Sequence, residues 1–397
     1  MSSHNEIIDC ILHLYSTLRY KPPPRQWTIL AAFYLTSDLG FNIISLATGT
    51  KCLAANKLPI EEALHDSHAE ILARRGAIRW LFEEIGRMNS VSNFKSEWLQ
   101  CDHQHSYTMH AGVRIGFYVS TVPCGDCSMG LLSSTQDAEM AALKEKSKNG
   151  AAVTPVVSRG RDNYALVGIL RTKPARADAP TTASMSCSDK IAAWSFLGIQ
   201  GALGARFFSA PLYVNEIIVG LDLAAENINE EITKTVRDDC ERALLRRMAS
   251  VSASDLYSFH PPAIHFTRIP FVHSRSMTPE VAASCNDSLF WIADSIKAPQ
   301  VIINGFKRGV SPNRRLDEKS LPIVCRRAML KLYNDTLQLC GLTSDAAQPT
   351  SLRSIKLTMH EYQQAKDHLM GETGVFNGWI RGSTVSFEKS NDCTGGI

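Results

Sequence analysis

The chain has 397 residues, with 42 Lys and Arg against 39 Asp and Glu, and a formal net charge of +3. That balance excludes nucleic-acid binding through global charge, so any such affinity must come from a local basic face. Eleven cysteines, an odd count without framework spacing, argue against a secreted disulfide scaffold and for a reducing compartment, cytoplasmic or nuclear.

No stretch reaches the apolar length of a membrane span, and Asp9 and His13 interrupt the first apolar run, which argues against a signal peptide. Ile7, Ile8, Ile11, Leu12, Tyr15 and Leu18 recur at helical spacing and predict a docking helix. Residues 27–35 and 41–48 read as strands about a polar turn at Ser37-Asp38, and residues 67–84 as a helix. An apolar strand over 113–120 then delivers the chain to Cys124. Residues 134–161 are polar, basic and aperiodic, which predicts a surface loop or insertion. A strand over 164–170, a basic loop over 171–180, a strand over 214–219 and a helix over 224–248 are expected next. Short strands at 264–267 and 301–303 and helices at 322–339 and 356–369 complete the reading. A histidine-bearing helix, a strand and a cysteine at a helix start suit an α/β fold, an αβα sandwich.

His68-Ala69-Glu70 followed by Pro123-Cys124-Gly125-Asp126-Cys127 is the pattern of a zinc deaminase. Zinc takes borderline N and S ligands, and a hydrolytic site keeps one position open for water. Histidine and cysteine supply such ligands, while Glu70 is placed to carry protons without touching the metal. The third ligand is open on residues alone. Cys127 completes a C-x-x-C, and Cys187 heads an apolar helical pattern where backbone N–H groups favour a thiolate. Four protein ligands would close the site, so only one of the two should bind.

The ordered segments His68-Ala69-Glu70, Pro123-Cys124-Gly125-Asp126 and Ser186-Cys187-Ser188-Asp189-Lys190 resemble the adenosine deaminases that act on RNA. Thr48-Gly49-Thr50-Lys51, Arg74-Arg75 and Arg171-Thr172-Lys173 add to the match. The resemblance runs from about Thr48 to Trp379 and implies one adenosine deaminase domain over 1–397. It implies zinc (Zn2+) on His68, Cys124 and Cys187, with Glu70 catalytic; a small apolar residue is usual where Cys127 stands. It further implies a C-terminal extension enclosing a cavity for inositol hexakisphosphate, lined by Arg74, Arg75, Lys190, Lys356, Tyr362, Lys366, Trp379 and Arg381. Clustered buried cations need a compensating polyanion, which gives that implication a physical basis. Asp66 and Lys173 match positions linking the polyphosphate to the cysteine ligand. His65 stands where the family has asparagine, Ala193 where it has arginine, and Arg381 corresponds only approximately.

Thr50 and Lys51 match positions near the target nucleotide, and Arg171 and Arg176 are candidate phosphate contacts. Only about 45 residues precede Thr48, which leaves no room there for double-stranded-RNA-binding modules. The chain is therefore most similar to the tRNA branch, which makes inosine beside the anticodon of alanine tRNA. The expected partner is that anticodon arm, with no membrane and no obligate protein partner. The rivals are a double-stranded-RNA editor aided by a partner, and a cytidine or nucleoside deaminase.

Overall fold

The computed structural model describes residues 3–54, 61–102, 105–134, 157–160, 164, 166–173, 180, 182–223, 228–278, 283–342 and 351–380. The first helix, α1 (His4–Thr17), is capped by the Ser3 hydroxyl, which accepts from the Glu6 N–H at 3.2 Å. Its Ile7, Ile8, Ile11 and Tyr15 are buried, as their spacing predicts. Strands β1 (Leu30–Ser37) and β2 (Gly40–Thr48) form the expected hairpin. Helix α2 (Ala69–Ser90) follows a short strand at Asp66–His68. Strand β3 (Arg114–Val119) leads towards Cys124, and helix α3 (Cys187–Leu197) begins on the second candidate cysteine.

Next come β4 (Val214–Gly220), α4 (Glu230–Leu244), β5 (Ala263–Thr267), β6 (Asp287–Ile292), β7 (Gln300–Ile303) and β8 (Phe306–Lys307). Helices α5 (Arg326–Leu339), α6 (Leu352–Leu357) and α7 (His360–Met370) close the described chain. The eight strands form one mixed sheet in the order β5-β4-β3-β1-β2-β6-β7-β8. β3, β4 and β5 run parallel, and the other neighbours pair antiparallel.

Side chains alternate across the sheet with period two and divide the core. Ala31, Phe33, Leu35, Phe117, Val119 and Ile217 pack with α2 and α3 on one face. Leu30, Ala32, Tyr34, Leu46, Tyr118 and Ile218 pack with α1 on the other. Both faces of β1 and β3 are thus covered, which explains their nearly continuous apolar sequences.

Several expected elements shift. The strand sought over 164–170 is instead Leu170–Thr172, paired in parallel with Val157–Arg159. The proposed surface loop thus ends in a short strand, and residues 135–156 lie outside the described set. The single helix expected over 356–369 is two, broken at Thr358–Met359, so Lys356 and Tyr362 stand on different helices. Strand β6 was not foreseen, although it joins the hairpin to β7 and β8.

Candidate active site

The site assembles where two helices begin beside the end of β3. His68 is the N-cap of α2 but makes no side-chain capping bond, which leaves its ring available. The strand carrying it pairs with Thr50–Cys52, with Thr50 opposite His68. Gly49 feeds this pairing at φ +148°, and a Cβ there would collide with the Ser67 carbonyl and the Ser288 hydroxyl. Cys124 is held against the start of α3. The Ser188 N–H donates to the Cys124 carbonyl at 3.0 Å, and the Ser188 hydroxyl donates to it at 2.8 Å. The next residue, Gly125, has φ +107°, and a Cβ there would strike the Ser186 side chain. Ser186 caps α3 by accepting from the Asp189 N–H.

Three donors converge. The Cys187 N–H points to the Cys124 sulfur at 3.4 Å, and His68 and the Cys187 thiol lie within hydrogen-bonding reach of that sulfur. The bond from Cys187, with Lys173 and His68 nearby, draws the Cys124 thiol well below its ordinary pKa against the effect of burial. His68 Nδ1 lies 2.9 Å from Asp66 Oδ1. With Nδ1–H donating to that carboxylate, loss of the Nε2 proton would leave a lone pair for a metal, an arrangement common to ligating histidines. This donor chemistry fits a zinc ion.

Asp66 is the hub of the surrounding charge. It accepts from Lys173 Nζ at 2.9 Å, Lys190 Nζ at 2.5 Å and the Ser184 hydroxyl at 2.6 Å. Burial favours its neutral form, but Lys173, Lys190 and His68 hold the carboxyl well below the usual range. Lys173 also donates to the Cys187 sulfur at 3.1 Å, and its pKa is driven up, against burial, by Asp66, Cys187 and Cys124. Asp66, Lys173 and Lys190 therefore form one connected network behind the cysteine.

Glu70, in the first turn of α2, is 1% exposed, and among the described residues its Oε2 has no hydrogen-bond partner. Burial, then the neighbouring Cys124, raises its pKa, as suits a group that must both take and give a proton.

Cys127 lies elsewhere. Its N–H donates to the Ser188 hydroxyl at 3.1 Å, while its buried thiol is bonded with Cys240 of α4, and burial pushes its pKa well up. Cys52 was missed from sequence; its sulfur is 3.5 Å from His68 Nδ1, and with Asp66 and His68 it forms a compact group of potential ligands. Only the pairing of two distant strands brings it there.

One helical face further on, α2 presents a second charged region. Arg74 donates from Nε to the Ile199 carbonyl at 3.0 Å, stacks over Trp194 at 5.3 Å and is bonded with Tyr362. Arg75 donates to the Val324 carbonyl at 2.7 Å. Burial, then the nearby Arg326, lowers its pKa to about 10. Lys356 is more extreme: burial, with Arg326, Arg75, Lys366 and Arg74 around it, depresses its pKa to about 7. These side chains lie deep yet keep some accessible surface. Arg326, at the start of α5, was not foreseen. Trp379 packs on Phe376 at 5.6 Å between ring centroids, and Arg381 lies outside the described residues.

The RNA-contact expectations fare unevenly. Lys51 donates to the Ser284 hydroxyl at 2.8 Å and Thr50 to the Cys285 carbonyl at 3.3 Å, both partly exposed beside the site. Arg171 needs correction: it is fully buried, and its guanidinium donates to the carbonyls of Gly160 and Leu166. A side chain holding the protein's own backbone cannot reach a phosphate in solvent. Arg176 lies outside the described residues.

Known proteins resemble this chain over much of its length. The family model described as the adenosine-deaminase (editase) domain matches residues 45–383. A tRNA-specific adenosine deaminase 1 of Schizosaccharomyces pombe is 33% identical over 324 residues, 79% of each chain. The Drosophila melanogaster protein of the same name is 36% identical over 227 residues, 55% of each chain. The double-stranded RNA-specific editase Adar of Drosophila melanogaster is 29% identical over 214 residues, 50% of this chain and 30% of that protein.

Proposed function

This chain belongs to the adenosine-deaminase (editase) family, and we propose that it converts adenosine to inosine in a transfer RNA, beside the anticodon of alanine tRNA. The reaction exchanges the exocyclic amine for oxygen: adenosine and water give inosine and ammonia. The observation that carries it is Glu70, a buried carboxyl with one oxygen unpartnered, beside a histidine and two cysteines. An unpaired polar atom at that depth costs stability unless a substrate or water completes it.

His68, Cys124 and Cys187 would hold a zinc ion, leaving a fourth position open. When bound, zinc supplies a Lewis acid that brings the pKa of water towards neutrality. Glu70 takes the water proton, delivers it to the adenine ring nitrogen and assists departure of ammonia. Asp66 keeps the imidazole in one tautomer and orientation, and Lys173 tempers the charge on the Cys187 sulfur. The target base must leave its stack to reach so buried a carboxyl, at least cost from a single-stranded loop. Thr50 and Lys51 would contact the flanking nucleotide, as the resemblance implies.

The cationic region on α2, α5, α6 and α7 would hold inositol hexakisphosphate. Arg74, Arg75, Lys356, Lys366 and Tyr362 serve that role as the resemblance implies, and Arg326 joins them on its geometry. Polyphosphate would neutralise the repulsion that depresses Lys356, making the ligand part of the fold.

The similar proteins named for tRNA are matched over 55–94% of their own length and those named for double-stranded RNA over 20–30%, which favours tRNA. The test is to incubate zinc-loaded protein with transcribed alanine tRNA and map inosine by sequencing, with Glu70→Ala as control. Inosine beside the anticodon, absent with the variant, is expected. Inosine only in a perfect RNA duplex would overturn the tRNA reading and favour the editase one.

A further inference from the structure

On the opposite face of the sheet from Glu70, sequence-distant residues converge at the parallel edge. Glu216 of β4 is opposite Gly116 of β3, which is in turn opposite Tyr34 of β1. Gly116 has no side chain, and the Tyr34 ring occupies that space; a Cβ there would overlap it. The Tyr34 hydroxyl thereby reaches across β3 and donates to Glu216 Oε1 at 2.8 Å. His265 of β5 is opposite Ile218, two residues after Glu216, so its side chain leaves the sheet on the same face. His4, the first residue of α1, closes the group: its Nε2 is 3.2 Å from Glu216 Oε2, and its ring centroid is 4.0 Å from that of His265.

We propose that His4, Glu216 and His265 form a second transition-metal site, for a divalent ion of the zinc class, that clamps α1 to the sheet edge. One ligand atom from each of the three lies within 4.8 Å of the others. Metal–ligand bonds of about 2 Å need those atoms slightly closer, a shift that partly exposed side chains can make. Two imidazoles and a carboxylate are a donor set that zinc accepts, with water in the fourth position. Tyr34 supplies the outer hydrogen bond that orients a ligating carboxylate. A cavity of about 90 Å³ beside His4 and Glu216 gives an entry path. It also holds Asp38, which attracts a cation, and Arg114, which repels one but is exposed and can turn to solvent.

An ordinary ion pair between His4 and Glu216 would need neither His265 nor Tyr34. The clamp matters because α1 covers Tyr34, Tyr118 and Ile218, the sheet's second apolar face.

The test uses untagged full-length protein already loaded with active-site zinc, titrated with further Zn2+ by calorimetry and thermal melting. Wild type should take up one more ion per chain and gain roughly 5 °C in Tm at saturating Zn2+. The His4→Gln/His265→Gln double variant should lose both effects and keep deaminase activity. Tyr34→Phe should weaken the added binding about tenfold. Equal zinc uptake and equal thermal gain in wild type and the double variant would overturn the proposal. Should the double variant not fold, His4→Gln alone, at a helix end, gives the same two outcomes.

Discussion

Helix α2 serves two charged regions that solve the problem of burial in opposite ways. At its start, Asp66 answers Lys173 and Lys190, and the sulfurs of Cys124 and Cys187 lie against His68 and Lys173. There positive and negative groups meet at hydrogen-bond distance, and among the described residues Glu70 Oε2 has no hydrogen-bond partner. A turn later, Arg74 and Arg75 face Arg326, Lys356 and Lys366, and like charges raise one another's cost. The first region is organised by the chain itself, and under the proposed function it takes a metal and a substrate. The second gathers cations that depress one another's charge, and under the proposed function a polyanion from outside would stabilise it.

Glu70→Ala bears most strongly on this contrast. Activity should fall by at least about 10²–10⁴-fold, the range for loss of a general acid–base. The melting temperature should hold, because the deleted carboxyl is buried with an unpartnered oxygen. Loss of activity together with collapse of the fold would make Glu70 structural.

Removing the two rival thiols separately comes next. Cys187→Ala should strip zinc from the protein, read by elemental analysis. Cys127→Ala should retain it and cost only about 1 kcal/mol for a small cavity against Cys240. The reverse pattern would exchange their roles.

The second region predicts an unusual pH profile. Lys356 has a folded pKa of about 7, below its unfolded value near 10.4. Between those values the folded state binds fewer protons, so its contribution to stability rises with pH. The penalty is full below pH 7 and gone above the unfolded value. Polyphosphate-free protein should therefore melt higher at pH 9 than at pH 6, and Lys356→Met should flatten that rise. Inositol hexakisphosphate should give its largest thermal gain at the acidic end, where the cations are charged.

A smaller effect is expected at Arg171. Arg171→Lys should lower stability by about 1–3 kcal/mol, since buried carbonyls lose donors, and leave KM for tRNA unchanged in the folded fraction. A raised KM with unaltered melting would restore it to an RNA contact.

What the sequence made legible was local. The apolar spacing of α1, the helix headed by Cys187 and the offset between His68 and Glu70 are short-range features, and all appear where expected. What it hid was long-range. Arg171 reads as a basic loop residue, because nothing adjacent reveals that two carbonyls close over it. Cys52 reaches His68 only through strand pairing, and Arg326 meets Arg75 only once α5 packs on α2. The break between α6 and α7 falls in Thr358-Met359, which carries neither glycine nor proline to mark it.

The most direct test of the contrast is to measure zinc, phosphorus and deaminase activity on one preparation of the full chain, before and after unfolding and refolding with zinc alone. The account predicts that active protein carries one polyphosphate per chain, that refolding with zinc alone restores little activity, and that added inositol hexakisphosphate restores the rest. Full activity from a phosphorus-free chain would contradict it, showing that the gathered cations need no partner.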